Sequence, residues 1–159
     1  MSETEIVYLY KGRGLYAATM WRRFIEACGE EEITRCYRVA RPLATESVWG
    51  VQLRGEEAGW ISLISDPFGD SVTSRSGIFP AYRRQGLWRH MLMQIRREAF
   101  DNASIQSVRA LVLLSNVDNS VRMLKLTQVL PWYTFDGFSL HPPAYHIITR
   151  REDWEKAFP

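Results

Sequence analysis

The chain has 159 residues, 46% hydrophobic and 24% charged, with a formal net charge of +2. This is the composition of an ordinary soluble globular protein, and the length suits one domain, expected to span residues 1–159, with a proper core. No apolar run reaches the ~20 residues of a membrane span, and a charge of +2 is too small to argue for nucleic acid by itself.

The start, Met-Ser-Glu-Thr-Glu, is acidic and lacks the apolar core of a signal peptide, so a cytoplasmic setting is expected. Residues 5–10 alternate weakly and suit a first strand, with Gly12 and Gly14 after it. Leu15, Ala18, Trp21, Ile25 and Cys28 recur at helical spacing, and Gly29 is a natural stop. Residues 30–41 suit a second short helix, which Pro42 should end because the residue before a proline avoids the helical region. Cys28 and Cys36, the only cysteines, fit neither a CxxC redox pair nor a zinc site and read as buried free thiols. His90, His141 and His146 show no metal-ligand spacing, so no metal is expected.

Residues 47–53 and 60–64 read as strands around a hairpin turn at 54–57. A second turn at 67–70 leads into a strand over 71–79. The helix expected over 87–100 places Leu87, Met91, Leu92, Ile95 and Ala99 on one face, the stripe a helix needs to lie on a sheet. Residues 108–114, nearly all apolar, suit a central strand covered on both faces. A polar loop at 115–119 precedes a helix over 120–127, then strands at 132–138 and 145–149 separated by His141-Pro142-Pro143. A short polar tail carries Trp154.

Between the strand at 71–79 and the helix at 87–100 lies Ile78-Phe79-Pro80-Ala81-Tyr82-Arg83-Arg84-Gln85-Gly86-Leu87-Trp88. A loop with arginines and a glycine that opens a helix is a good anion site. The first helical N–H groups have no partner inside the helix, and the helix dipole adds partial positive charge there. Gly86 lets backbone approach a ligand without a Cβ in the way, and Arg83 and Arg84 bring planar donor forks suited to phosphate. Arg89, His90, Arg96 and Arg97 extend the positive charge, which suits a phosphate-rich cofactor or, equally, a solvated helix face.

This loop resembles the coenzyme A loop of the GNAT superfamily of N-acetyltransferases, which reads Arg/Gln-x-x-Gly-x-Gly/Ala after the fourth strand, often preceded by Pro-x-Tyr. Pro80, Tyr82, Arg83 and Gly86 stand at the family spacing, while Trp88 replaces the final small residue. The order of the other elements also matches, with the resemblance covering residues 46–138. It implies an α/β (α+β) GNAT fold: a mixed sheet of about seven strands with a splayed parallel pair, flanked by about four helices. Acetyl-CoA would lie between the splayed fourth and fifth strands as co-substrate. Ile78 and Phe79 would pair with its pantetheine arm. Arg83, Arg84, Gln85, Gly86, Leu87 and Trp88 would hold the pyrophosphate, mainly through backbone N–H groups. Asn116, after the fifth strand, would hold the cofactor's amide arm, since its side chain both donates and accepts.

The sequence departs from the family further on. With Asn116 as anchor, Met123 stands where many members carry a tyrosine as general acid, and a thioether supplies no proton. The fourth strand offers no glutamate as general base. Acid and base therefore stay open, with Tyr133, Asp136, Tyr145, His146 and relayed water as alternatives. The stretch 119–125 also faintly resembles short GNAT-like proteins of tailed bacteriophages. The expected activity is acetyl transfer to the primary amine of a small-molecule or protein acceptor. The alternatives are a GNAT-fold structural or interaction module without catalysis, which Trp88 and Met123 motivate, and, last, nucleic-acid binding by the basic helix. No DNA-reading motif supports the last.

Overall fold

The computed structural model describes residues 5–67 and 69–159. In chain order these form β1 (Ile6–Gly12), α1 (Leu15–Cys28), α2 (Glu30–Cys36), β2 (Glu46–Leu53), β3 (Glu56–Ser65) and β4 (Ser71–Ile78). After a short 3-10 turn at Pro80–Tyr82 come α3 (Leu87–Phe100), β5 (Ser107–Leu113), α4 (Val117–Val129), β6 (Thr134–Leu140), β7 (Pro143–Arg150) and α5 (Arg151–Ala157). The seven strands make one sheet in the order β1-β2-β3-β4-β5-β7-β6, antiparallel except for β4–β5.

Two apolar clusters clamp the sheet. On one face α1 and α2 bring Ala17, Met20, Trp21, Phe24 and Ile33 against Val48 and Trp60. On the other, the α3 stripe of Leu87, Met91, Leu92, Ile95 and Ala99 packs with Val108, Val112, Met123, Trp132, Tyr133 and Trp154. Contact with α1 is so close at β4 that Gly77 has no room for a side chain. A Cβ there would lie 2.5 Å from Phe24 Cζ and 2.5 Å from Trp60 Nε1.

The expected elements are present, with shifted ends. α2 stops at Cys36, well before Pro42, because Tyr37 turns extended and packs its ring among Trp21, Phe24 and Trp60. α4 begins at Val117, three residues earlier than expected. A fifth helix, α5, forms in the polar tail and buries Trp154 against Trp132 and Phe100. The expected turn at 67–70 includes Phe68, which, like residues 1–4, lies outside the described residues.

A buried ion pair fixes the irregular segment between α2 and β2. Glu46 is fully buried, and Arg75 of β4 donates Nη2 to its Oε1 at 2.5 Å and Nε to its Oε2 at 2.8 Å. Ser62 adds a third bond to Glu46 at 2.6 Å. The same guanidinium reaches the carbonyls of Val39 and Arg41 at 2.5 and 2.8 Å, and it lies over the Trp21 ring. Removing one partner strands a buried charge. Glu46→Ala and Arg75→Met should each lower stability by about 3–5 kcal/mol, whereas Glu46→Leu with Arg75→Met together should recover much of that loss. Urea unfolding of the three variants checks this; singles that melt like the wild type would show the pair holds nothing.

Candidate functional site

The parallel pair β4–β5 is joined at only three registers, Ser71–Ser107, Val72–Val108 and Thr73–Arg109. Ser74 Oγ then donates to the Arg109 carbonyl at 3.2 Å, and beyond that point the strands part. β4 stays on β3 through Ile78, and β5 stays on β7 through Leu113. The result is a wedge edged by unpaired backbone. Phe79 N–H points to β3, where it bonds the Ala58 carbonyl at 2.8 Å. Strand alternation therefore turns the N–H and C=O of Ile78 and Ser76 into the wedge.

At the wedge's mouth the backbone curls. Arg84 has φ 63°, and Gly86, at φ 76° and ψ 5°, is the left-handed N-cap of α3. No side chain caps this helix, and its first turn has no acidic residue. Its first amides are thus unbonded inside the helix and free to meet an anion. A Cβ built on Gly86 meets nothing within 4 Å, so the glycine serves backbone conformation rather than close packing.

The residues marked in the sequence are placed as follows. Arg84 and Gln85 are exposed at the loop. Gln85 links to the hairpin between β2 and β3 by accepting from Arg54 Nη2 at 3.1 Å. Leu87 is buried under α3. The Trp88 ring turns towards α4, with the Arg122 guanidinium 5.4 Å from its centroid. Arg83 turns the other way, towards α2. It grips Glu32 with Nη1 on Oε1 at 2.6 Å and Nη2 on Oε2 at 2.9 Å, and its Nε donates to the Ile78 carbonyl at 3.1 Å. Each partner's charge favours the other's: Glu32 is held below its usual range by Arg83, and Arg83 is raised by Glu32. Asn116 is the N-cap residue of α4, with its carbonyl accepting from Ser120 N–H at 2.9 Å.

Arg96 does not join the surface charge of the loop. It is fully buried between Trp132 and Tyr133, bonded to Thr149 Oγ1 and the Leu92 carbonyl, both at 2.9 Å. Its Nη2 has no partner among the described residues, and burial lowers its pKa to about 10.

Three of the four candidate acids and bases have their polar atoms in contact with a partner, and the fourth, Tyr145, is held by its ring. Tyr133 is buried and donates its hydroxyl to the Met123 sulfur, so its proton lies against the thioether. Asp136 bonds Arg109 at 2.9 Å and lies 3.6 Å from Arg150. His146 Nε2 lies 3.0 Å from Ser139 Oγ. Tyr145 meets Phe135 edge-on and Phe138 at a tilt.

One functional neighbour was not legible in the sequence. Tyr37 donates its hydroxyl to the Ser76 carbonyl at 2.6 Å, on the wedge edge of β4. No periodicity marks Tyr37; only the fold brings it there. Beside it, Cys28 lies 3.3 Å from Arg83 Nη2. Two open recesses, of about 410 and 380 Å³, lie elsewhere: one between α1 and residues 40–42, the other around Arg109, Asp136 and Arg150. The first is almost wholly apolar and the second is crossed by ion pairs, so the wedge with its unpaired backbone is the better candidate.

Burial holds several protons unusually tightly, that of Tyr37 most of all. Tyr8 and Tyr133 are pushed from 10.0 to about 12, and Cys28 from 9.0 to about 12, mainly by loss of water and then by Glu32. Between pH 9 and 12 the unfolded chain loses these protons first. Stability should therefore be intact below pH 9 and fall as pH rises towards 12, and Cys28 should resist iodoacetamide at pH 8 in the folded protein. Unfolding midpoints across pH and mass-detected alkylation check both.

No family model and no curated protein matches this chain. Solved structures do. A dodecameric spermidine N-acetyltransferase from Vibrio cholerae aligns with TM-score 0.73 at 9% identity, over 99% of this chain and 100% of that one. The spermidine N-acetyltransferase from Vibrio cholerae in complex with CoA and spermine gives 0.71 at 11%, over 96% and 99%. An aminoglycoside acetyltransferase in complex with coenzyme A gives 0.69 at 12%, over 96% and 100%. The seven-stranded mixed sheet, parted between its parallel strands, is the GNAT fold.

Proposed function

We propose that this protein is an acyl-CoA-dependent N-acetyltransferase that moves an acetyl group from acetyl-CoA to a primary amine. The observation that carries the reading is the uncapped start of α3 behind Gly86, set at the mouth of a strand pair that parts after three residues. Free amides with the positive end of a 14-residue helix suit a pyrophosphate, and an unpaired strand edge suits an amide-bearing arm. The CoA complexes among proteins of this fold support it. Those proteins are named for spermidine and aminoglycosides, which supports an amine acceptor, small molecule or protein. No described helix is long and apolar enough to cross a membrane. A cytoplasmic setting fits the two free cysteines.

In this reading the amides from Gln85 to Trp88 hold the pyrophosphate and exposed Arg84 adds charge. Ile78 pairs with the pantetheine arm in the wedge, and Asn116 stands at the far arm. Phe79, its N–H already on Ala58, contributes side-chain packing rather than backbone pairing. The acceptor amine attacks the thioester directly, and a wedge-facing N–H of β4 meets the developing oxyanion. The main contribution is holding two reactants together. A second reading, a GNAT-fold interaction module without catalysis, draws on Met123 and on the wedge carbonyls of Ser76 and Ile78, which the chain's own side chains already cover.

Calorimetry with acetyl-CoA separates these readings. Gly86→Glu should abolish binding, because the carboxylate repels phosphate. Gly86→Ala, which carries the same left-handed strain of about 1–2 kcal/mol but no charge, should melt similarly and still bind. Equal binding by the wild type and Gly86→Glu would sink the cofactor site. Trp88→Gly should bind within about tenfold of wild type, roughly 1.4 kcal/mol, because its ring leans on Arg122. Binding gained only on Trp88→Gly would make the tryptophan a plug and favour the module.

A further inference from the structure

We propose that residues 32–37 form a latch across the wedge, and that a pyrophosphate-bearing ligand opens it by drawing Arg83 away from Glu32 and the Ile78 carbonyl. The proposal rests on the CoA reading of the wedge.

The segment ties down both arms of the V. Tyr37 reaches β4 through its hydroxyl bond to the Ser76 carbonyl at 2.6 Å. Two residues earlier, the Arg35 carbonyl accepts from Ser115 Oγ at 2.6 Å, just past the end of β5. One turn earlier again, Glu32 is held in a two-pronged grip by Arg83. The latch therefore has one charged fastening and two neutral ones.

Arg83 connects that fastening to the cofactor loop. It belongs to the loop that opens α3, yet its fork faces α2. A carboxylate and a phosphate present the same pair of oxygens to a guanidinium, so the two compete for one fork. The Nε of Arg83 also covers the Ile78 carbonyl, one of the acceptors that alternation turns into the wedge. While Arg83 holds Glu32, its Nε occupies one of the two acceptor positions of that carbonyl, and a pantetheine amide has to share it. When Arg83 moves to phosphate, the carbonyl is uncovered and Glu32 loses its guanidinium, so residues 35–37 keep the neutral bonds of Tyr37 and Ser115 and the packing of the Tyr37 ring but lose the charged fastening. One side-chain movement thus prepares the arm's seat and loosens the cover over the acceptor side. Coupling is reciprocal, so the latch weakens ligand binding by as much as the ligand weakens the latch.

The test uses the full chain, coenzyme A and pantetheine, which lacks the pyrophosphate. Glu32→Gln keeps the side chain's shape and removes the competing charge. It should bind coenzyme A roughly fivefold more tightly than wild type, the value of a half-exposed ion pair. Amide exchange over residues 30–37 should quicken in wild type on adding coenzyme A, stay unchanged with pantetheine, and be quick already in ligand-free Glu32→Gln. Equal affinity of wild type and variant overturns the latch and leaves the CoA reading standing. So does slower exchange over 30–37 with coenzyme A, or equal opening by pantetheine. Failure of both proteins to bind coenzyme A removes the CoA reading and the latch with it.

Discussion

Arg75 is the residue on which the wedge depends. It stands on β4 two positions past the last register shared with β5, where the sheet begins to part. A sheet that splits there must be held from another direction, and this guanidinium supplies the hold. It binds a buried carboxylate from β2, two carbonyls from the segment between α2 and β2, and the face of Trp21 on α1. Buried ion pairs are weak contributors to net stability, since desolvation cancels most of their attraction, but they discriminate strongly between arrangements. Here the discriminated arrangement is the path of residues 37–45 over β4, which sets where Tyr37 lands.

A parted strand pair creates a second constraint. Backbone N–H and C=O groups that leave a ladder need other partners. Without a ligand the chain supplies its own at the carbonyls: Ser74 closes the apex on Arg109, Tyr37 takes Ser76, and Arg83 takes Ile78. The wedge's acceptors face the gap, but side chains on flexible stems cover them. A ligand for such a site replaces bonds rather than filling empty space. Its affinity then reflects differences between partners more than the area it buries.

The fold was legible where one physical term dominates. The α3 stripe and the nearly unbroken apolar run of β5 are set by burial, and both stand where the sequence put them. The turn from the loop into α3 was also legible, because Gly86 before a periodic helix has a local meaning. Arginine roles were not. Arg83, Arg84 and Arg96 look alike in a sequence, yet one grips Glu32, one is exposed and one is fully buried between aromatic rings. What separates them is which element lies opposite, and that is tertiary. The end of α2 at Cys36 and the formation of α5 follow the same logic, since Tyr37 and Trp154 choose their neighbours across the sheet and helices rather than along the chain.

The chemistry left to the wedge follows from the groups that surround it. Tyr133 lies at the Met123 sulfur with a pKa near 12, so at neutral pH it is an acid and never a base. It is also 1% exposed, beneath the thioether, so no proton passes from it to a leaving thiolate unless Met123 moves. Asp136 is held between Arg109 and Arg150. On the proposed reading, acceleration then comes largely from orientation and from backbone donors at the strand edge, with water, His146 or Tyr145 left to carry the protons. Positioning alone reaches effective molarities of about 10⁵–10⁸ M when the reacting atoms are aligned. An enzyme of that kind needs a rigid strand edge and a cover that yields to its substrates more than it needs a titrating side chain. The Arg75 anchor supplies the rigid edge, and the segment from Glu32 to Tyr37 is placed to be the cover.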